Sequence, residues 1–320
     1  MPGIGGGGRV LWRHPWKDDA VEISEGLLGP LLLARNAIDR SAALRGDEEW
    51  LAGAWADEKT RVLVIHDGQT VIRRFTDGAA VVFLSPLDAP EGPRYLLGLD
   101  PDGVAYFAVQ APLPPGEAAG LRQTGALLDD RDAGLLVYAV ALEAWHTTHE
   151  FCPRCGSRTT ITASGHMRVC PKDGSQHFPR VDPAVIMLIH DDEDRVLLAR
   201  GPEWPEGRMS VLAGFVEPGE SLEHAVVREV LEEVGVSVAA PRYMGSQPWP
   251  FPRSLMLGFV ARATTTDIVM DPAEIAEARW LSRDELSAQV ESGRLRLPGQ
   301  VSIARRLIET WYGKPIPGDW

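Results

Sequence analysis

The sequence has no run of about 18 apolar residues, which excludes a hydrophobic helix long enough to cross a bilayer. Cysteine is scarce. There are 3 among 320 residues, all between positions 152 and 170. Three thiols cannot complete a disulfide framework, and their confinement to one stretch points to metal in a reducing compartment. Basic residues are outnumbered: 32 Lys and Arg against 45 Asp and Glu leave a net charge of −13. That argues against a broad electrostatic footprint for nucleic acid, a local basic patch apart. The first residues, MPGIGGGGRVLWRHPW, lack the apolar stretch of a secretory signal, and PIPGDW at the other end holds no peroxisomal tripeptide. The expected location is the cytoplasm, with no membrane partner. No internal repeat is evident. What remains is ordinary for a globular protein, 44% hydrophobic and 24% charged, and long enough for two or three domains with cores of their own.

Taken along the chain, residues 1–26 are expected to be a flexible segment. Its GIGGGG run at residues 3–8 has neither a strand before it nor a helix-period pattern directly after it, as a phosphate-binding loop would need. Residues 27–145 form a first α+β module. Short apolar runs at 61–66, 78–84, 94–99 and 104–109 predict strands, and 134–145 predicts a helix. No catalytic constellation is visible there. Residues 146–178 make a compact insert, residues 179–313 the main domain, and residues 314–320 a tail. In the main domain, strands are predicted at 184–189, 196–199, 236–238 and 255–262, and helices at 284–292 and 303–312.

In the insert, Cys152-Pro153-Arg154-Cys155-Gly156 reads as a knuckle turn aiming two thiolates at one metal. Cys170 follows at ribbon spacing, but Asp173 stands where a fourth cysteine belongs. Structural zinc takes four ligands. Three readings stay open: Asp173 completes the site, one of His146, His149, His166 and His177 or a water does, or no zinc is bound.

The stretch GFVEPGESLEHAVVREVLEEVGV, residues 214–236, dominates the main domain. At about 100° per residue, residues 222–234 form a helix with Val227, Val230, Leu231 and Val234 on an apolar stripe. Ser221 is a suitable N-cap and Gly235 a suitable stop. Glu229, Glu232 and Glu233 are expected on the opposite side, with Glu220 in the turn before the helix. Carboxylates at this density repel one another unless a cation sits among them, and hard oxygen donors suit Mg²⁺ or Mn²⁺. Downstream, Ser246-Gln247-Pro248-Trp249-Pro250-Phe251-Pro252-Arg253-Ser254 predicts a stiff loop. Composition leaves it either holding a flat ring at a pocket rim or serving as a rigid structural loop with buried aromatics.

Gly214, Glu220 and the run Arg228-Glu229-Val230-Leu231-Glu232-Glu233-Val234-Gly235-Val236 resemble an unbroken Nudix box. The loop from Ser246 to Ser254 is similar to the signature of the NADH pyrophosphatase branch of that family. So are Cys152-x-x-Cys155-Gly156, Leu212-Ala213-Gly214-Phe215, Asp271-Pro272-x-Glu274, Trp280 and the run at residues 303–308. The likeness covers roughly residues 140–312 well and the first module weakly. It implies an α+β chain: a divergent, non-catalytic Nudix-like N-terminal domain that helps build a dimer, a zinc-ribbon insert and a C-terminal Nudix αβα sandwich.

The resemblance also implies an activity: metal-dependent hydrolysis of NAD(H) to nicotinamide mononucleotide and AMP, and removal of NAD caps from RNA. Glu229 and Glu233 are then the expected Mg²⁺ or Mn²⁺ ligands, with Glu232 completing the cluster and Glu274 joining from a distal loop. Arg228 is expected to pair with Glu220 and set the box loop. Phe215 is expected to stack on nicotinamide, with Phe178 of the partner subunit over its other face, where Tyr is more usual. Gln247, Trp249, Phe251, Ser254, Met256 and Ala304 are candidate substrate contacts. Two rival readings are a non-catalytic NAD-sensing regulator and a Nudix hydrolase of ADP-ribose-like nucleotides. The intact glutamate set opposes the first, and the aromatic loop the second.

Overall fold

A computed structural model describes residues 27–318. The expectations for residues 1–26 lie outside the described residues, as does the end of the 314–320 tail.

The first module contains α1 (Glu48–Ala56), β1 (Arg61–Ile65), β2 (Gln69–Phe75), β3 (Gly78–Val81), β4 (Arg94–Leu99), β5 (Ala105–Gln110), β6 (Glu117–Gly120), α2 (Leu121–Thr124) and α3 (Asp130–Thr148). The strands form two sheets, ordered β1-β5-β4 and β3-β2-β6. Alternation along β1 divides the interior, as period-2 side chains must. Leu63 and Ile65 face a core shared with α3, while Val62 and Val64 join a separate cluster with Trp55 and Leu84. β2 was not legible, because its burial ends in the exposed Arg73, Arg74 and Phe75. Leu28 and Leu31, expected to open this module, are instead buried in the core of the C-terminal one.

The insert is a three-stranded antiparallel sheet of β7 (Thr160–Thr162), β8 (Met167–Val169) and β9 (Gln176–His177). It docks on α3 through buried polar groups. Arg168 donates to His146 Nδ1 at 2.9 Å, and His146 Nε2 meets the Gly165 carbonyl at 2.8 Å. His166 Nε2 meets the Leu96 carbonyl at 2.7 Å.

The last module contains β10 (Asp182–His190), β11 (Val196–Arg200), β12 (Leu212–Phe215), α4 (Leu222–Val234), β13 (Val238–Trp249), β14 (Ser254–Ala263), β15 (Glu277–Leu281), α5 (Arg283–Glu291) and α6 (Ile303–Tyr312). The sheet runs β13-β14-β10-β11-β15, with β12 also on β10. Val185, Met187 and Ile189 of β10 bury against Ala225, Val226, Val230 and Val234 of α4. Ile186 and Leu188 face the opposite way, toward Leu286 of α5 and Leu307 and Ile308 of α6. Helices on both faces make the αβα sandwich, with α4 on one side and α5 and α6 on the other.

Two expectations fail here. The strand predicted at 236–238 is twelve residues long in β13 and absorbs Ser246 to Trp249 of the supposed loop. Its prolines are tolerated because β13 lies at the sheet edge and carries two register shifts, at Ala239/Arg242 and Tyr243/Gly245. The apolar stripe of α4 is also rotated from the predicted one. Leu231 is 51% exposed, and Glu229 and Glu233 are buried beside Val226 and Val230. A carboxylate pair four residues apart shares a helix face with the core, which hydrophobicity alone would never place there.

Candidate active site

β12 delivers the box. Gly214 pairs with Val185 of β10, and a Cβ at Gly214 would lie 1.9 Å from Glu229 Cδ. The glycine therefore makes room for a carboxylate. α4 starts at Ser221, whose side chain accepts from the His224 amide, and stops at Gly235 with φ 69°. Arg228 gathers the loop onto the helix. Its Nε and Nη2 each donate to Glu220 at 2.8 Å, and Nη1 donates to Glu229 at 2.8 Å and Glu232 at 3.0 Å. Nη2 also reaches the Phe215 carbonyl at 2.9 Å. The guanidinium holds the Glu220 carboxyl down at about 2, and Glu220 in turn raises the pKa of the Arg228 guanidinium above its ordinary value. This is the expected Arg228–Glu220 pairing. Glu232 shares Arg228 Nη1 with Glu229 and lies on the solvent side of the group, its side chain 60% exposed.

Glu233 is different. Its Oε2 is buried with no hydrogen-bond partner among the described residues. Burial, then the charges of Glu229 and Glu274, push its carboxyl up to about 8. Burial also raises Glu229, against the pull of Arg228. Glu274 is brought close by a loop fastened to the end of α4. The Asp271 amide donates to the Glu233 carbonyl at 3.0 Å, and the Val269 amide to the Val234 carbonyl at 2.9 Å. The Asp271 carboxylate then accepts from the Ala273 amide at 2.9 Å, holding the turn that carries Glu274. The unsatisfied buried oxygen of Glu233, which unlike Glu229 has no arginine against it among the described residues, fits a hard divalent ion.

Beside the box, Ala213, Trp249, Met256, Val301 and Ala304 line a cavity of about 600 Å³. Phe215, two residues beyond Ala213, is 61% exposed. Gln247 does not reach this space. It is 1% exposed, and its amide donates to the Val301 carbonyl at 2.9 Å. The aromatic hairpin is half-buried rather than a free π surface. Trp249 and Phe251 meet edge-on at 4.9 Å and pack against the first module's core. Arg122 lies over both rings, at 4.1 Å from Phe251 and 5.0 Å from Trp249, and also lines the cavity. Nothing in the sequence marked this arginine, because it arrives from the module that showed no site. Ser254 and Phe178 line a second cavity, to which Trp249 also contributes.

The ribbon holds two matching turns. The Cys152 amide donates to Ser157 and the Gly156 amide to Cys152; the Cys170 amide donates to Ser175 and the Gly174 amide to Cys170. Asp173 therefore occupies the place in the second turn that Cys155 has in the first. The three Sγ atoms and an Asp173 oxygen all lie within 4.8 Å of one another. Asp173 Oδ1 accepts from the Ser175 amide at 2.9 Å and hydroxyl at 2.6 Å, while Oδ2 stands 3.8 Å from Cys152 Sγ. Those bonds to Ser175 hold the Asp173 carboxyl well below the usual range. Of the four histidines near the knuckles, His146 and His166 are spent on docking the ribbon, and His177 contacts Ser175 at 3.1 Å. This donor set could hold a metal.

Three family models match the chain: a NUDIX domain at residues 180–298, an NADH pyrophosphatase zinc ribbon domain at 147–178, and an NADH pyrophosphatase-like rudimentary NUDIX domain at 58–145. A Mycobacterium tuberculosis protein named NAD-capped RNA hydrolase NudC is 42% identical over 303 residues, covering 88% of this chain and 94% of the relative. A protein of the same name from Stutzerimonas stutzeri is 41% identical over 278 residues, covering 83% and 94%.

Proposed function

The chain belongs to the Nudix hydrolases, in their NADH pyrophosphatase branch, and from that premise we propose that it hydrolyses the diphosphate of NAD(H) and of NAD-capped RNA. Water adds across the anhydride and one P–O bond of the bridging oxygen breaks. The products are nicotinamide mononucleotide and either AMP or RNA with a 5′-monophosphate. The observation that carries this reading is the buried, unpartnered oxygen of Glu233 beside Glu229 and Glu274.

Glu229 and Glu233, with Glu232 and Glu274 completing the group, would hold Mg²⁺ or Mn²⁺, which when bound neutralises diphosphate charge and lowers the pKa of water. Arg228 keeps Glu229 oriented and ties the Glu220 loop and the Phe215 carbonyl to the same helix. Gly214 leaves space for the Glu229 carboxylate. The exposed Phe215 ring offers a face for nicotinamide, and the apolar cavity of Met256 and Ala304 takes the ring's surroundings out of water. The protein acts as a cytoplasmic homodimer, with Phe178 of one subunit serving the site of the other. That ring is 57% exposed on its own subunit. Zinc in the ribbon, held by Cys152, Cys155, Cys170 and Asp173, is structural.

The test is the ratio of kcat/KM for NADH to that for ADP-ribose, measured with Mg²⁺ or Mn²⁺. A ratio well above one supports the reading. Preference for ADP-ribose contradicts it.

A further inference from the structure

Trp249 is a shared wall. It lines the cavity beside the box and also a second cavity of about 460 Å³ whose walls come from all three parts of the chain. Arg40, Arg45 and Tyr138 come from the first module, Phe178 from the end of the ribbon, and Arg180 and Arg253 from the main domain. Four arginines around one space stand out on a chain with net charge −13. Among the described residues, only Arg253 of the four has a carboxylate at ion-pair distance, Asp182 at 2.6 Å. Arg40 lies 4.1 Å over the Tyr138 ring. Arg45 donates to the Tyr138 hydroxyl at 3.1 Å, and its Nε is buried with no acceptor among the described residues. Burial pushes the His166 imidazole on the same wall down to about 4, and the adjacent Arg45 and Arg40 push the same way.

Excess cation chemistry next to aromatic faces matches a single-stranded polynucleotide, whose phosphates seek guanidinium groups and whose bases stack on rings. We propose that this cavity binds the first nucleotides of the RNA body that follow the cap. Arg40 and Arg180 contact phosphodiesters while the cap occupies the cavity beside the box. The assignment rests on the functional reading above. It adds what distinguishes a capped RNA from free NADH, namely a site that the free dinucleotide does not need.

The experiment uses the full chain and the double variant Arg40→Gln/Arg180→Gln, with thermal melting as a fold control. Steady-state kinetics are measured on NADH and on an NAD-capped oligonucleotide over a range of salt. Binding of the corresponding 5′-monophosphate oligonucleotide is followed by fluorescence anisotropy. The variant should keep kcat/KM on NADH within about twofold. Its KM for the capped oligonucleotide should rise about tenfold, and the slope of log kcat/KM against log salt should flatten by about 1.4, from two lost single-strand phosphate contacts. Binding of the monophosphate oligonucleotide should weaken in parallel. Equal losses on NADH and capped RNA would overturn the assignment, as would oligonucleotide binding that is absent in the wild type or unchanged in the variant. If the wild type binds the oligonucleotide but does not cleave the capped form, the functional reading fails and the site stands.

Discussion

Replacing Glu233 by Gln should move stability and activity in opposite directions. In the metal-free protein this carboxyl is pushed up to about 8 from an ordinary 4.5 by burial and by Glu229 and Glu274. The folded state therefore holds the proton more tightly than the unfolded chain does. That contribution is fully present below about pH 4.5 and is lost as pH rises through about 8. A shift of this size corresponds to a loss on the order of 3–5 kcal/mol. Gln keeps the shape and carries no charge, so the variant escapes the loss. The assay is thermal melting in chelator from pH 5 to pH 9. The wild type should lose roughly 5–10 °C relative to the variant across this range. Restored Mg²⁺ or Mn²⁺ should then stabilise the wild type at pH 9 and leave the variant nearly unmoved, while turnover of the variant falls by a factor of about 10² or more. Parallel melting curves, or near wild-type turnover in the folded variant, would refute the idea that Glu233 is a strained ligand awaiting a cation.

Gly214→Ala should cost activity about as heavily as loss of a ligand, roughly 10²-fold, because the new Cβ would lie 1.9 Å from Glu229 Cδ; full activity would show that Glu229 need not stay in place. Phe215→Ala should remove a stacking face worth about 1–3 kcal/mol. Its loss in kcat/KM should be larger on NADH than on a dinucleotide lacking nicotinamide, and equal losses would make the ring a packing element. For the ribbon, elemental analysis of protein purified without added zinc should find one zinc per chain, abolished in Cys152→Ser and weakened in Asp173→Ala. A zinc-free, fully active wild type would sink the assignment of Asp173.

The elements that could be read from the sequence are those whose ends are marked by local chemistry. α4 spans residues 222–234 and α6 residues 303–312, both as expected. Each begins after a serine whose side chain accepts a helix amide and ends at a left-handed glycine, Gly235 or Gly313. β13 was hidden because Pro241, Gly245 and Pro248 are read as breakers, and only its place at the sheet edge makes them harmless. The box glutamates were legible as a group but not as individuals. The pairing of Arg228 with Glu220 was expected, but spacing cannot tell that Arg228 also claims Glu229 and Glu232 while Glu233 is left without a partner among the described residues. The part of Arg122, and the convergence of Arg40, Arg45, Arg180 and Arg253 on the second cavity, could not be read for a related reason. Their meaning depends on contacts between parts of the chain far apart in sequence.

The central claim is that the glutamates of α4 and Glu274 serve hydrolysis of an NAD diphosphate, and the most direct measurement is a single turnover of NAD-capped RNA with the products resolved by mass. With Mg²⁺ or Mn²⁺, the wild-type protein should release nicotinamide mononucleotide and leave RNA bearing one 5′-phosphate, and chelator or Glu233→Gln should abolish both products together. Intact capped RNA after incubation with metal, or cleavage at any bond other than the diphosphate, would contradict the account.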